Sequence, residues 1–407
     1  MAVREKCAKE TIEKLNYKVL SVNRVCCLAV PIVAFLLSGC TETPNPVGAG
    51  LLPKTDLLDL DTTTTSASSS ATISSVPSAS TSRILVGTRE NIESWGIIRF
   101  IPLPDSLKGV RVSGADLVLR SVYHYGDSLA GFSVALHQIT ADWSLDSLNY
   151  FAISTGGFYN PVPMRSLNLG SIGDTATITL ALDTAVVRSW LDSVGDSVTT
   201  NHGFIPRPTN SSVIKGFASF SAVDATYRPK LQVRYTREGS TRVDTVTINT
   251  GIERFVARYT TGVGGSDISL LYVRNGISTR GIVQFDVSSL SPKAAIHSAI
   301  LELTLHKDLS RFNSYTVDSS YAFYVTDNGN VTSALYTLSE KALVNGFTVY
   351  RYEIGRFVRQ WLHGALHHKV AIGGFDEPNS LDLFVLYGAG SPAALRPRLK
   401  IIYSIVK

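Results

Sequence analysis

His297-Ser298-Ala299-Ile300-Leu301-Glu302-Leu303-Thr304-Leu305-His306 puts Ala299, Leu301, Leu303 and Leu305 on one side of an extended chain, with Ile300, Glu302, Thr304 and His306 on the other. A period of two is the pattern of a half-buried strand, because successive side chains leave an extended backbone on opposite faces. Ser113-Gly114-Ala115-Asp116-Leu117-Val118-Leu119 carries the same alternation and matches His297–Leu303 at an offset of 184. Three more blocks recur in the same order. Gly96-Ile97-Ile98-Arg99-Phe100 returns as Gly281-Ile282-Val283-Gln284-Phe285, at an offset of 185. Val187-Arg188-Ser189-Trp190-Leu191 returns as Val358-Arg359-Gln360-Trp361-Leu362, at 171, and Arg228-Pro229-Lys230-Leu231-Gln232-Val233-Arg234-Tyr235 as Arg396-Pro397-Arg398-Leu399-Lys400-Ile401-Ile402-Tyr403, at 168. Conserved order with variable connections predicts two copies of one domain, over 54–236 and 245–407, joined at 237–244.

The Trp-containing block has a different period. Val186 with Trp190, Val187 with Leu191, Phe357 with Trp361 and Val358 with Leu362 are each four apart, which predicts a short amphipathic helix with both tryptophans facing the core. The closing block is a strand whose first residue follows a proline. Many short strands and one helix per copy predict an all-β fold: two tandem β-sandwiches, jelly-roll-like, each with a short capping helix. The Ser/Thr-rich tract from Thr62 to Ser82 has two readings. One is a flexible low-complexity linker. The other is an edge strand opening the first copy, since threonine favours strands and Leu58 and Leu60 alternate with Asp59 and Asp61.

Composition narrows the function. The 407 residues are 44% hydrophobic and 17% charged, which fits folded domains and excludes general disorder. Residues 1–39 hold six Lys/Arg and three Asp/Glu of the totals of 38 and 33, leaving 32 against 30, so the rest is near neutral. No basic cluster follows, which argues against nucleic acid as a partner. The cysteines are Cys7, Cys26, Cys27 and Cys40, so nothing after residue 40 can form a disulfide framework or a thiolate metal site.

Val25–Leu37 is an apolar run preceded by Lys18 and Arg24 and followed by Ser38 and Gly39, the layout of a secretory signal. Its 13 residues fall short of the roughly 20 that a membrane-crossing helix needs. Leu37-Ser38-Gly39-Cys40 resembles the lipobox of bacterial lipoproteins. The resemblance implies removal of 1–39, lipidation of Cys40 and a proline- and glycine-containing spacer over 40–53. A plain secretory signal with an incidental cysteine is the other reading. Acyl chains hold a protein to a bilayer through about 0.8 kcal/mol per buried methylene, so the membrane is an expected partner and the cell envelope, at the outer membrane, the expected location.

Taken together, the strand ending in Arg/Gln-Phe, the Ser-Ala/Gly-Ala-Xaa-Leu strand, the Val-Xaa-Xaa-Trp-Leu helix and the Arg-Pro-Xaa-Leu strand resemble the DNRLRE domain, a jelly-roll module related to carbohydrate-binding modules. Val134–Trp143 of copy one is similar to that family's strand leading into a tryptophan. Copy two departs from it, because Phe323-Tyr324-Val325-Thr326-Asp327 has no equivalent tryptophan.

No catalytic pattern emerges, and an enzyme is not expected. Gly262-Val263-Gly264-Gly265-Ser266 lacks the Lys-Ser/Thr of a phosphate loop and reads as a hairpin turn. His363, His367 and His368 have partial metal-ligand spacing, but Gly364 interrupts their helix and copy one lacks them. Asp142, Asp146 and Asp183 show no spacing of a paired acid and base. No cofactor is expected beyond a structural calcium in the Gly/Asn turns, for which there is no Asp-Xaa-Asp run. The expected activity is binding of carbohydrate, or adhesion, with Trp95, Tyr123 and Tyr125 as a candidate aromatic platform. The alternative is an architectural or protein-binding component of an envelope complex that recruits an envelope protein at a strand edge.

Overall fold

Both alternating stretches become central strands, and everything else is arranged around them. The computed structural model describes residues 59–74, 81–145, 148–259, 267–277, 279–313 and 315–405. The signal and spacer over 1–53, Cys40 and the Gly262–Ser266 turn lie outside these residues. The first strand is β1 (Asp61–Ser74). Copy one then runs β2 (Arg83–Arg89), β3 (Ile92–Phe100), β4 (Arg111–Tyr125), β5 (Gly131–Gln138), α1 (Tyr150–Ser154), β6 (Arg165–Ser171), β7 (Thr177–Ala181), α2 (Thr184–Asp192), β8 (Phe204–Pro208), β9 (Ile214–Ala218) and β10 (Lys230–Thr236). Next come β11 (Asp244–Ile248), β12 (Gly251–Tyr259), β13 (Leu270–Arg274), β14 (Thr279–Phe285), β15 (Ala294–Thr304) and β16 (Ser320–Val325). The chain closes with β17 (Val331–Leu338), β18 (Glu340–Val344), β19 (Phe347–Glu353), α3 (Gly355–Leu362), β20 (Lys369–Gly374), β21 (Leu383–Tyr387) and β22 (Arg398–Ile405).

The fold is all-β, with two curled antiparallel sheets that form a pair of sandwiches. One has the order β11-β10-β4-β9-β2-β3-β8-β5-β6, with β12 on β3 and β7 on β4. The other has the order β17-β16-β20-β14-β1-β22-β15-β19-β18, with β13 and β21 branching from β14. Each curls around its own core. Ala115, Leu117, Leu119, Leu231, Val233 and Trp190 lie in the first, and Ala299, Leu301, Leu303, Leu399, Ile401 and Trp361 in the second. The inward side of the alternation is thus buried in both copies.

The two helices cap equivalent places, α2 on β4 and α3 on β15, and both tryptophans are buried. Their N-termini are satisfied differently. The Asp183 carboxylate accepts from Ala185 N at 2.7 Å and Val186 N at 3.3 Å, an aspartate N-cap. In α3 the carboxylate of Glu353 accepts from Gly355 N at 2.9 Å and also from Ala299 N at 3.1 Å, which ties the helix start to β15. Gly364, with φ +101°, follows the end of α3, a backbone conformation that glycine adopts without strain.

The sheets do not follow the repeat boundaries. The Ser/Thr tract is a strand over Asp61–Ser74 that pairs with β22 along Asp61–Ser66 and then with β14 along Ala67–Ser74, one partner strand along each half and both of copy two. Conversely, β11 and β12, which the repeat assigns to copy two, pair with β10 and β3 of copy one. Of the two readings of this tract the strand holds, but it joins copy two and does not open copy one. Polar side chains suit this place because backbone hydrogen bonds to one neighbouring strand along each half hold it, and among its described residues Ala67 alone is buried and apolar. Residues Leu60–Lys407 form one compact unit. No helix among the described residues is long and apolar enough to cross a membrane.

Candidate functional site

A platform for a ligand must face solvent, and the three aromatics expected from sequence do not. Trp95, Tyr123 and Tyr125 are 2%, 0% and 4% exposed. The hydroxyl of Tyr123 accepts from Asn313 Nδ2 at 2.9 Å and from Leu381 N at 3.2 Å, so this residue joins the two copies. Trp95 lies in a cluster with Ile97, Ile139, Trp143, Leu148, Ile153, Ile205 and Val256. The outer face of β3 that carries Trp95 is covered by the chain between β5 and β6. That connection, residues 139–164, includes α1 and supplies Trp143, Leu148 and Ile153.

The cover is tied down by polar contacts. Trp143 Nε1 donates to His202 O at 2.7 Å, and Trp95 Nε1 and Tyr150 Oη donate to the two oxygens of Glu93 at 2.8 and 3.0 Å. Arg207 lies 4.0 Å over the Trp95 ring and donates to Tyr159 Oη at 2.8 Å. Hydrogen bonds from Trp95, Arg258 and Tyr150 outweigh the burial of Glu93 and lower its pKa.

Among the described residues, no such connection covers the same face of copy two. There the equivalent connection, between β16 and β17, is only residues 326–330. Strand register equates Tyr321 and Phe323 with Ala135 and His137, and Gly373 with Arg207. Arg280 stands where copy one has Trp95. Tyr321 and Phe323 are two apart on β16 and so share a face, and Tyr336 on β17 is the cross-strand partner of Phe323. Phe375 follows β20. The Tyr321 ring stacks on Phe375 at 5.4 Å, meets Tyr336 edge-on at 5.4 Å and lies 5.7 Å from Phe323. Tyr336 is 54% and Phe375 39% exposed, while Tyr321 and Phe323 are half-buried.

One edge of this four-ring face is polar. Arg280 lies 4.7 Å from the Phe323 centroid and makes a bidentate pair with Glu377, Nε to Oε1 at 3.0 Å and Nη2 to Oε2 at 2.7 Å. Gly373 lies beneath: a Cβ there would come within 3.1 Å of Phe323 Cε2 and 3.3 Å of Arg280 Nε. Burial, with Tyr336 nearby, pushes the Tyr321 hydroxyl above the ordinary tyrosine value, so it is a neutral donor and acceptor. At the other edge Leu338, paired with Tyr321, borders a groove of about 540 Å³ that Glu302, Glu340, Arg351, Glu353 and Lys400 also line. Rings beside fixed charged and hydroxyl groups can take an amphipathic ligand, stacking its apolar face and pairing its polar rim.

The remaining candidates do not gather into sites. Asp142 pairs with Arg99 at 3.3 Å and Asp183 caps a helix, while Asp146 lies outside the described residues. The His368 ring packs 5.6 Å from Trp361. Among the described residues no group of three or more His, Cys, Asp or Glu is placed to hold a metal ion. The ring cluster was readable only indirectly. The Tyr321-Ala322-Phe323 alternation marks one strand face, and the missing tryptophan of copy two marks the missing cover.

Comparison with models of known families and with curated proteins gives no match. A solved structure of infectious bursal disease virus Gt strain is similar at 11% identity over 88% of this chain and 78% of that one, with a TM-score of 0.13.

Proposed function

We propose that this chain is a lipoprotein of the bacterial cell envelope, anchored at the outer membrane through Cys40, and that its two DNRLRE-like sandwiches serve carbohydrate binding. Binding falls to the second copy, at Tyr321, Phe323, Tyr336 and Phe375. The observation carrying this reading is the contrast between copies: one outer face is sealed by a 139–164 connection, and the same face of the other is bare and aromatic. Sugar rings have C–H faces that pack on aromatic rings and hydroxyls that pair with groups such as Arg280 and Glu377. An exposed apolar patch with a polar rim marks an interaction surface in general.

The test is retention on a panel of immobilised polysaccharides. A chain carrying both Tyr336→Ala and Phe375→Ala is expected to bind at least about tenfold more weakly, equivalent to about 1.4 kcal/mol. Both side chains are exposed, so folding is not at stake. Equal retention by the substituted chain would remove the site. Failure of the unsubstituted chain to bind any polysaccharide, with an envelope protein co-purifying instead, would favour the architectural, protein-binding alternative.

A further inference from the structure

A second cleft lies where the two copies meet, and it shares no residue with the four-ring face. Its volume is about 320 Å³, with the end of β2, the turn after it and the end of β4 on one side and residues 311–313 of copy two on the other. Arg89, Arg311 and Glu90 line it, which leaves one positive charge in excess. Backbone carbonyls aim both guanidiniums. Arg89 Nη1 donates to Ser212 O at 3.4 Å, and Arg311 Nη1 donates to Asp308 O at 2.7 Å and Ser310 O at 3.0 Å. Their other nitrogens have no hydrogen-bond or carboxylate partner among the described residues. The Arg89 stem passes over Gly126, whose φ is +106° and where a Cβ would meet Arg89 Cδ at 3.1 Å and Nε at 3.2 Å, so the glycine makes room for the arginine.

His124 adds an acceptor to the lining. Burial raises the pKa of its partner Asp174, but hydrogen bonds from Tyr315 and His124 outweigh this and hold it below the ordinary value, so Asp174 is a carboxylate and only accepts. The 2.8 Å contact of His124 Nδ1 with Asp174 is therefore a donation from the ring, and Nε2 of the neutral ring is left as an acceptor. Exposed Phe312 gives the cleft an apolar wall, held edge-on by Phe384 at 4.9 Å. Glu90 attracts Arg274, which is buried and hydrogen-bonded to Tyr125. We propose that this cleft binds an acidic sugar, a uronic acid unit of a polysaccharide: Arg89 and Arg311 hold its carboxylate, a ring hydroxyl donates to His124 Nε2, and a C–H face packs on Phe312. Free phosphate would engage the arginines but pack on nothing, and Glu90 at the rim disfavours its second negative charge. The assignment does not rest on the four-ring face, so either site can fail without the other.

Isothermal titration calorimetry of the full chain tests this with galacturonate, glucuronate and mannuronate, each against its neutral counterpart galactose, glucose or mannose. At least one uronate is expected to bind with a Kd below about 1 mM and at least about tenfold more tightly than its neutral counterpart. Arg89→Gln and Arg311→Gln are each expected to weaken that uronate by at least about tenfold, as loss of a charge-assisted hydrogen bond does. Arg311 is exposed and hydrogen-bonds only to carbonyls of its own loop, so the fold is retained in that variant. Arg356→Gln removes the same charge from an exposed place on α3 and is expected to leave the affinity unchanged. The chain carrying Tyr336→Ala and Phe375→Ala is expected to bind the uronate as tightly as the unsubstituted chain; a loss there, with none in the two arginine variants, would put the uronate on the ring face and overturn the proposal. Three further results would overturn it: no uronate preferred over its neutral counterpart, an equal loss in Arg356→Gln, or inorganic phosphate bound as tightly as the best uronate.

Discussion

Glu253 gives the sharpest test of how the strands crossing between the copies are held. It lies on β12, opposite Ile98 of β3, where a copy-two strand completes copy one. Burial pushes its carboxyl from an ordinary value of 4.5 up to about 7, and a backbone hydrogen bond from Phe220 only partly offsets this. The folded chain therefore holds the Glu253 proton more tightly than the unfolded chain does. Below about pH 4.5 the group is protonated in both states and costs nothing. Stability is lost as pH rises from 4.5 towards 7, and above about 7 the loss is complete. The size of that loss, from 1.36 kcal/mol per pH unit, is about 3 kcal/mol. Glu253→Gln keeps the shape and the acceptor for Phe220 while removing the charge. Urea unfolding of both proteins at pH 8 is expected to find the variant more stable by up to about 3 kcal/mol, with the difference vanishing near pH 4. Other carboxyls titrate identically in the two proteins and cancel. An equal stability difference at both pH values would refute the reasoning.

Asp183→Ala removes a cap that accepts from two backbone N–H groups and is expected to destabilise by about 1 kcal/mol in urea unfolding. Trp361→Ala empties a buried site in the second core and is expected to cost about 3–5 kcal/mol by the same measurement. Gly373→Ala places a Cβ 3.1 Å from the Phe323 ring and is expected to weaken polysaccharide retention severalfold with little change in melting temperature. Unchanged retention would mean that the ring position does not matter to the ligand.

How much was legible in the sequence varies from element to element. The Ala299-Leu301-Leu303 alternation and the four-residue spacing of Phe357 and Trp361 reach the structure unchanged, because each reports a local geometry that one core must accept. The duplication was legible for the same reason, as matching blocks demand matching elements. Neither the partner of β1 nor the fate of Trp95 was legible. Strand pairing uses backbone groups that every residue carries, so the Thr62–Ser82 tract could be read as a linker or as a strand opening copy one, but not as a strand that docks on the opposite copy. Trp95, Tyr123 and Tyr125 have the chemistry of a sugar platform, yet exposure depends on what covers them. For Trp95 the cover is the 139–164 connection, and for Tyr123 it is the Asn313 and Leu381 side of copy two. Equivalent strand faces become a sealed core in one copy and an open aromatic surface in the other, with different residues on them and a connection of different length and placement over them. That is a property of packing in three dimensions, which no local pattern of residues records.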